Sequence, residues 1–197
     1  MRVIQPAVLS GDVLPPLLSA REFSAGTNGS IPEDDPRLTA LLDGASAAIR
    51  RYCGWHIAPV IEDDYTLDYE GGGLLVLRTL ALRGIESLTV GGRAADVDSL
   101  EWSENGEIRM PFHAPARFRA VQAKIQHGYD LDAVADLKAV VQQVVGNAIS
   151  SPLGATREQA GAVSVSWATT APGVSGGISL LERDYAIVDQ YRLPKGA

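Results

Sequence analysis

The sequence predicts an α+β fold: an antiparallel helical hairpin, about 36–53 and 133–150, with an inserted antiparallel β-sheet or small barrel and an extended C-terminal tail ending in a short helix. Three observations predict it. Two windows of similar length repeat apolar residues at three- and four-residue steps, the period of a one-sided helix. The stretch between them alternates at period two and is broken by Gly and Asn-Gly, as short antiparallel strands are. And 197 residues, 46% of them apolar, suffice for one substantial core.

Residues 1–18 are punctuated by Pro6, Pro15 and Pro16 and read as an extended arm. Ser19-Ala20-Arg21-Glu22 is a capping box, followed by a short helix that the loop Gly26-Thr27-Asn28-Gly29-Ser30 must close. Asp34-Asp35-Pro36 starts the first long helix, with acids at its positive end and Pro where an N–H is not needed. Leu38, Leu41, Leu42, Ala45, Ala48, Ile49 and Tyr52 form its apolar stripe, and Gly54 ends it. Strand-like segments follow at Tyr65 to Tyr69, Leu74 to Leu77, Ile85 to Val90, Leu100 to Trp102, Glu107 to Met110 and Val121 to Ile125. Asn105-Gly106 marks the turn between the fourth and fifth of these. The second long helix carries Leu137, Val140, Val141, Val144, Val145, Ala148 and Ile149 on one face and stops at Pro152 and Gly154. Residues 151–162 read as a polar loop, Val163 to Trp167 alternates, 168–179 is small and Pro/Gly-rich, and Leu180 to Tyr191 forms the last helix. This divides the chain into a body, 1–162, with arm 1–18 and β insertion 55–128, and a tail, 163–197.

Composition excludes more than it includes. A net charge of −7 argues against a protein that clings to nucleic acid. A single cysteine, Cys53, excludes an internal disulfide framework and a Cys-clustered zinc site. No apolar run reaches the ~18 residues of a membrane helix, and the N-terminal stretch has no signal-peptide core, so we expect a soluble cytoplasmic product with no membrane association. His56, His113 and His127 stand apart at no metal-ligand spacing, there is no Gly-x-Ser-x-Gly, and Gly71-Gly72-Gly73 lacks the lysine and helix of a phosphate loop. No cofactor, catalytic residue or metal site is expected. A small metal-dependent enzyme built from His56, Glu62, Asp63 and Asp64 is the alternative of another class, against a solvated acidic strand edge.

Charge is unevenly placed. Residues 30–70 hold nine acids and three arginines, whereas Arg109, Arg117, Arg119 and Lys124 lie in 109–128 without one acid. Either this is ordinary surface variation, or the basic segment of one subunit meets Glu62, Asp63 and Asp64 of the next in a ring.

The order of these elements, with "DDPRLTALLDGASAAIRRYCGWHI" before the β region and "IQHGYDLDAVADLKAVVQQVVGNAIS" after it, resembles the head-to-tail connector (adaptor) proteins of tailed bacteriophages. The longer variants, with a β insertion between the main helices, are most similar. The sharpest match is the helix end Ala47-Ala48-Ile49, Tyr52 and Gly54, and "GAVSVSWA" and "LLERDYAIVDQYR" resemble the family's tail and closing helix. The second helix departs from the pattern: Asn147-Ala148-Ile149-Ser150-Ser151 stands where the family has a His/Tyr-Glu-Asn-Arg run.

The resemblance implies a structural virion protein of the neck, assembled in the bacterial cytoplasm. It would form a ring, commonly dodecameric, beneath the portal protein, receive the head-closure (stopper) protein, and line a channel through which DNA passes without specific binding. Portal docking would then fall to the tail, through Val163, Val165, Trp167, Leu181, Tyr185, Val188, Tyr191 and Arg192. Another neck or tail-completion level, that of the stopper, is the nearest alternative.

Overall fold

The computed structural model describes residues 14–150, the strand segments 157–160, 163–166, 169–171 and 174–175, and residues 180–194. The arm residues 1–13 and Trp167 lie outside the described residues. Helices α1 (Ala20–Gly26), α2 (Leu38–Cys53), α3 (Ala135–Ser150) and α4 (Glu182–Val188) accompany eleven antiparallel strands, so the fold is α+β. Two compact units divide the chain, a helical unit (residues 15–52 and 134–190) and a β unit (residues 1–14, 53–133 and 191–197). Helix α4 belongs to the helical unit.

In the helical unit, α1 opens on the expected capping box: Ser19 Oγ accepts the Glu22 N–H, and the Glu22 carboxylate accepts the Ser19 N–H at 2.9 Å. Phe23 is fully buried beneath it. Helix α2 begins two residues after Pro36, because the Asp35 carboxylate takes the Arg37 N–H and guanidinium and holds a turn there. Its buried stripe is Leu38, Leu42, Ala45, Ser46, Ile49 and Cys53, while Ala48 is exposed. Ser46 replaces it inside because its hydroxyl accepts the Leu17 N–H at 2.9 Å in the core. The end of the arm is thus packed, with Leu17 and Leu18 buried. Helix α3 follows a 3-10 turn (Leu131–Val134) and buries all seven expected apolar residues. Burial of each such side chain stabilises by about 1.5–3 kcal/mol.

Helix α4 is fixed from within. The buried Asp184 carboxylate accepts the Leu181 N–H at 2.8 Å and faces the Gln143 amide of α3, and Val188 has no exposed surface. Tyr52 of α2 donates to Asp189 at 2.6 Å and its ring meets Tyr185 at 5.1 Å. Within 151–179, where a loop and a small-residue stretch were expected, β8 (Arg157–Ala160) pairs with β9 (Val163–Ser166), and β10 (Thr169–Ala171) with β11 (Val174–Ser175).

The β unit holds two sheets. One has the order β1-β7-β3-β4, with β1 (Ile61–Tyr69), β7 (Arg117–His127), β3 (Leu82–Val90) and β4 (Arg93–Ala94). The other has the order β2-β6-β5, with β2 (Leu74–Val76), β6 (Glu107–Arg109) and β5 (Glu101–Trp102). Period two sorts the side chains: Val121, Ala123 and Ile125 of β7 turn inward against Leu82, Ile85 and Leu88 of β3 and Leu75 and Ile108 of the small sheet. Strand β1 starts at Ile61, four residues before the expected position, and so takes in the acid run. Gly106, at φ +80°, makes the turn between β5 and β6 that Asn-Gly announced.

Candidate functional site

The acid run Glu62-Asp63-Asp64 does not act as one group. Alternation along β1 sends Glu62 and Asp64 to the exposed face of the four-stranded sheet and Asp63 to the interior, where it is 4% exposed. Buried Asp63 is therefore unavailable for the inter-subunit role expected of it. Its carboxylate lies 3.6 Å from His127 Nε2 on the adjacent strand. His127 is fully buried, and neither ring nitrogen has a hydrogen-bond partner among the described residues. His56, expected alone, stacks edge-on against His127 at 4.3 Å and its Nε2 lies 2.8 Å from the Pro59 carbonyl. Trp55 and Tyr65 flank this pair, Tyr129 packs edge-on against Trp55, and burial pushes the Tyr65 phenol up. The three acids of the metal-enzyme reading thus point to different faces of β1, and no group of three or more metal-ligating side chains gathers among the described residues.

The basic segment is also divided. Arg109 lies in the small sheet, 2.6 Å from Glu101, and Lys124 lies 2.7 Å from Glu86 of β3. Asp64 is the cross-strand neighbour of Lys124. The ammonium is held above its ordinary range first by Glu86, then by Glu62 and Asp64. Three carboxylates around one ammonium make this sheet face acidic, the opposite of the basic face expected there. Arg117 and Arg119 differ: both are exposed, and neither forms an ion pair among the described residues.

These two arginines flank an irregularity. Between the pairs Leu67↔Val121 and Tyr69↔Arg117 the register of β1 and β7 shifts, and Arg119 takes a left-handed φ of +52°. That conformation is unfavourable for a side chain with Cβ. The Asp68 carboxylate secures it by accepting the Arg119 N–H at 2.8 Å. The bulge carries Phe118, 71% exposed, between Arg117 and Arg119 in the chain. Nothing in the sequence marks Phe118, since an aromatic residue in an alternating strand reads as core.

At the other end of the same sheet, β3 is irregular on both sides of Gly84–Ile85, with register shifts between Leu82 and Gly84 and between Ile85 and Ser87. The result is a shallow depression lined by Glu62, Gly84, Ile85, Glu86, Ile125 and Gln126. A Cβ built on Gly84 meets no atom within 4 Å.

Of the expected docking residues, Val188 is fully buried, which removes it from any docking surface. Tyr185 is 37% exposed, and Leu181, Tyr191 and Arg192 are half-buried. The Tyr191 carbonyl accepts the Trp55 indole N–H at 2.6 Å, and the Leu193 N–H donates to the Cys53 carbonyl at 2.9 Å. Val163 and Val165 belong to β9. No helix among the described residues is long and apolar enough to cross a membrane.

A family model described as head completion protein matches residues 16–147, which span α1, α2, the whole β insertion and most of α3. No curated protein sequence matches the chain. Among solved structures, it is similar to a chain from the neck of an empty GTA particle computed with C6 symmetry, at TM-score 0.55 and 15% identity, covering 96% of this chain and 97% of that one. It is also similar to a chain from the neck of a native GTA particle computed with C12 symmetry, at TM-score 0.56 and 14% identity with the same coverage. At these identities the likeness is one of fold.

Proposed function

The chain belongs to the head completion protein family, and we propose that within it this protein is the adaptor of a phage neck, a ring beneath the portal that receives the stopper on its other side. It is a structural protein and not an enzyme. The observation that carries the adaptor reading is architectural: α2, the β region and most of α3 fall in the matched segment, and the similarity in fold extends over 96% of the chain in neck structures computed with C6 and C12 symmetry. A dodecamer is the ring we propose. Its −7 charge per subunit, repeated around a channel, would repel phosphates and let DNA slide without being held.

Docking on the portal is assigned to the tail, through the hairpin carrying Val163 and Val165 and through exposed Tyr185 with Leu181, Tyr191 and Arg192. Body 1–162 and docking tail 163–197 therefore remain a functional division, with α4 anchored in the helical unit. The test is co-purification of the full chain with the portal protein, followed by negative-stain imaging. Rings stacked on the portal are the expected result. A chain that never associates with the portal, but binds directly to the tail side of a completed neck, would transfer the assignment to the stopper level.

A further inference from the structure

We propose that the three-stranded sheet of one copy pairs edge to edge with that of the next, β5 of one against β2 of its neighbour, so that the ring closes on a continuous belt of strands. The proposal rests on the ring reading above and specifies its interface.

Both edges of this sheet are open. The Met110 N–H donates to the Gly73 carbonyl and the Leu77 N–H to the Gly106 carbonyl, each at 2.8 Å. Gly73, Leu75 and Leu77 thus turn their backbone groups toward β6, and by alternation Leu74 and Val76 turn theirs outward. On the far side the Ser103 N–H donates to the Glu107 carbonyl at 2.8 Å, so Trp102, one residue earlier, points its N–H and C=O away from β6. Exposed apolar side chains mark the same two edges: Leu74 at 51%, Val76 at 39% and Trp102 at 39%. Neither strand carries the Lys or Pro that commonly closes an edge to pairing.

Direction and register agree. Strands β2 and β5 are both antiparallel to β6 and so run parallel to each other. Successive copies in a twelvefold ring turn by only about 30°, which keeps β5 of one copy parallel to β2 of the next. A parallel ladder then needs one outward N–H and one outward C=O on β5, which Trp102 supplies. Its partners are the carbonyl of Leu74 and the N–H of Val76, on either side of Leu75. The contact is intermolecular, because β6 stands between β2 and β5, and their open edges face away from each other about 10 Å apart. Since the two edges differ, the contact is heterologous, and its repetition generates a ring or a filament and not a closed pair.

The test is a disulfide cross-link in the full chain, alone and with portal added, followed on a non-reducing gel. The register sets Glu101 opposite the neighbour's Leu74, whereas Arg109 separates the two positions within one chain. Leu74→Cys combined with Glu101→Cys should therefore give a ladder of covalent multimers under mild oxidation, and neither single variant should. In sedimentation velocity Val76→Pro, which removes only an outward N–H, should weaken self-association at least tenfold. Val76→Lys should do the same with thermal unfolding unchanged, and it decides the matter if the proline variant does not fold. If the parent assembles while the double cysteine variant gives no ladder and Val76→Lys assembles equally well, the contact is wrong and the ring stands. A covalent dimer from Leu74→Cys alone would make the contact a symmetric pair of β2 strands and overturn the belt. If the parent chain forms no oligomer under any of these conditions, the contact and the ring fall together.

Discussion

Ser46 shows how much one hydroxyl decides. It stands in the apolar stripe of α2 and accepts the buried Leu17 N–H, so Ser46→Ala should leave that donor without a partner and cost about 1–3 kcal/mol, measured by urea unfolding. Glu22 offers a titration. The Lys138 ammonium at 2.6 Å, then the Ser19 hydroxyl and N–H, hold its carboxyl at about 2, below an ordinary 4.5. A depressed carboxylate contributes stability that is complete above its unfolded pKa and is lost as pH falls from about 4.5 through about 2. Carboxyl NMR should find Glu22 titrating near 2, and Lys138→Met should move it upward; the stability gap between the two proteins should close below pH 2. A Glu22 midpoint near 4.5 in the parent chain would refute the pairing. Local chemistry of this kind is legible in sequence, as Ser19 and Glu22 were. Asp63 was not, because its orientation depends on His127, which stands 64 residues later and meets it only through strand pairing.

Elements follow the same division. Both long helices could be read from their apolar spacing, since that pattern is a property of a single segment. The ends were less legible: Asp35 folds back on Arg37 and delays α2 by two residues. Strand β1 hid behind its acids because alternation between Glu62, Asp63 and Asp64 carries no hydrophobic contrast. Asn105-Gly106 was the strongest local strand signal, and Gly106 supplies a sharp test. A Cβ there would sit 2.8 Å from the Leu77 carbonyl oxygen at a φ of +80°, so Gly106→Ala should cost about 1–3 kcal/mol by chemical denaturation. The bulge at Arg119 and the depression at Gly84 could not be foreseen, since both arise from mismatches in strand register. The tail makes a prediction at this scale too. Replacing residues 157–175 with a Gly-Ser linker, while keeping α4 and its buried Asp184 and Val188, should leave the unfolding midpoint within a few degrees and abolish capture by immobilised portal.

For the whole molecule, the acid-rich sequence became informative only after folding assigned its charges to faces. Lys124 and Arg109 pair with carboxylates of their own chain, whereas Arg117 and Arg119 form no ion pair among the described residues. If the proposed ring uses these exposed cations, its assembly should weaken as salt rises, because exposed charges are screened beyond about 8 Å at physiological ionic strength. Light scattering from 50 mM to 500 mM salt should show a falling assembled fraction; assembly indifferent to salt would assign the interface to apolar contacts alone. The chain also passes between its two units four times, after Leu14, after Tyr52, after Ala133 and after Gln190. The second and last of these crossings are fastened together by the Leu193 N–H on the Cys53 carbonyl and the Trp55 indole on the Tyr191 carbonyl. Tension applied to one unit is therefore divided over four covalent strands, and a single backbone cut at any one crossing leaves the two units joined through the others.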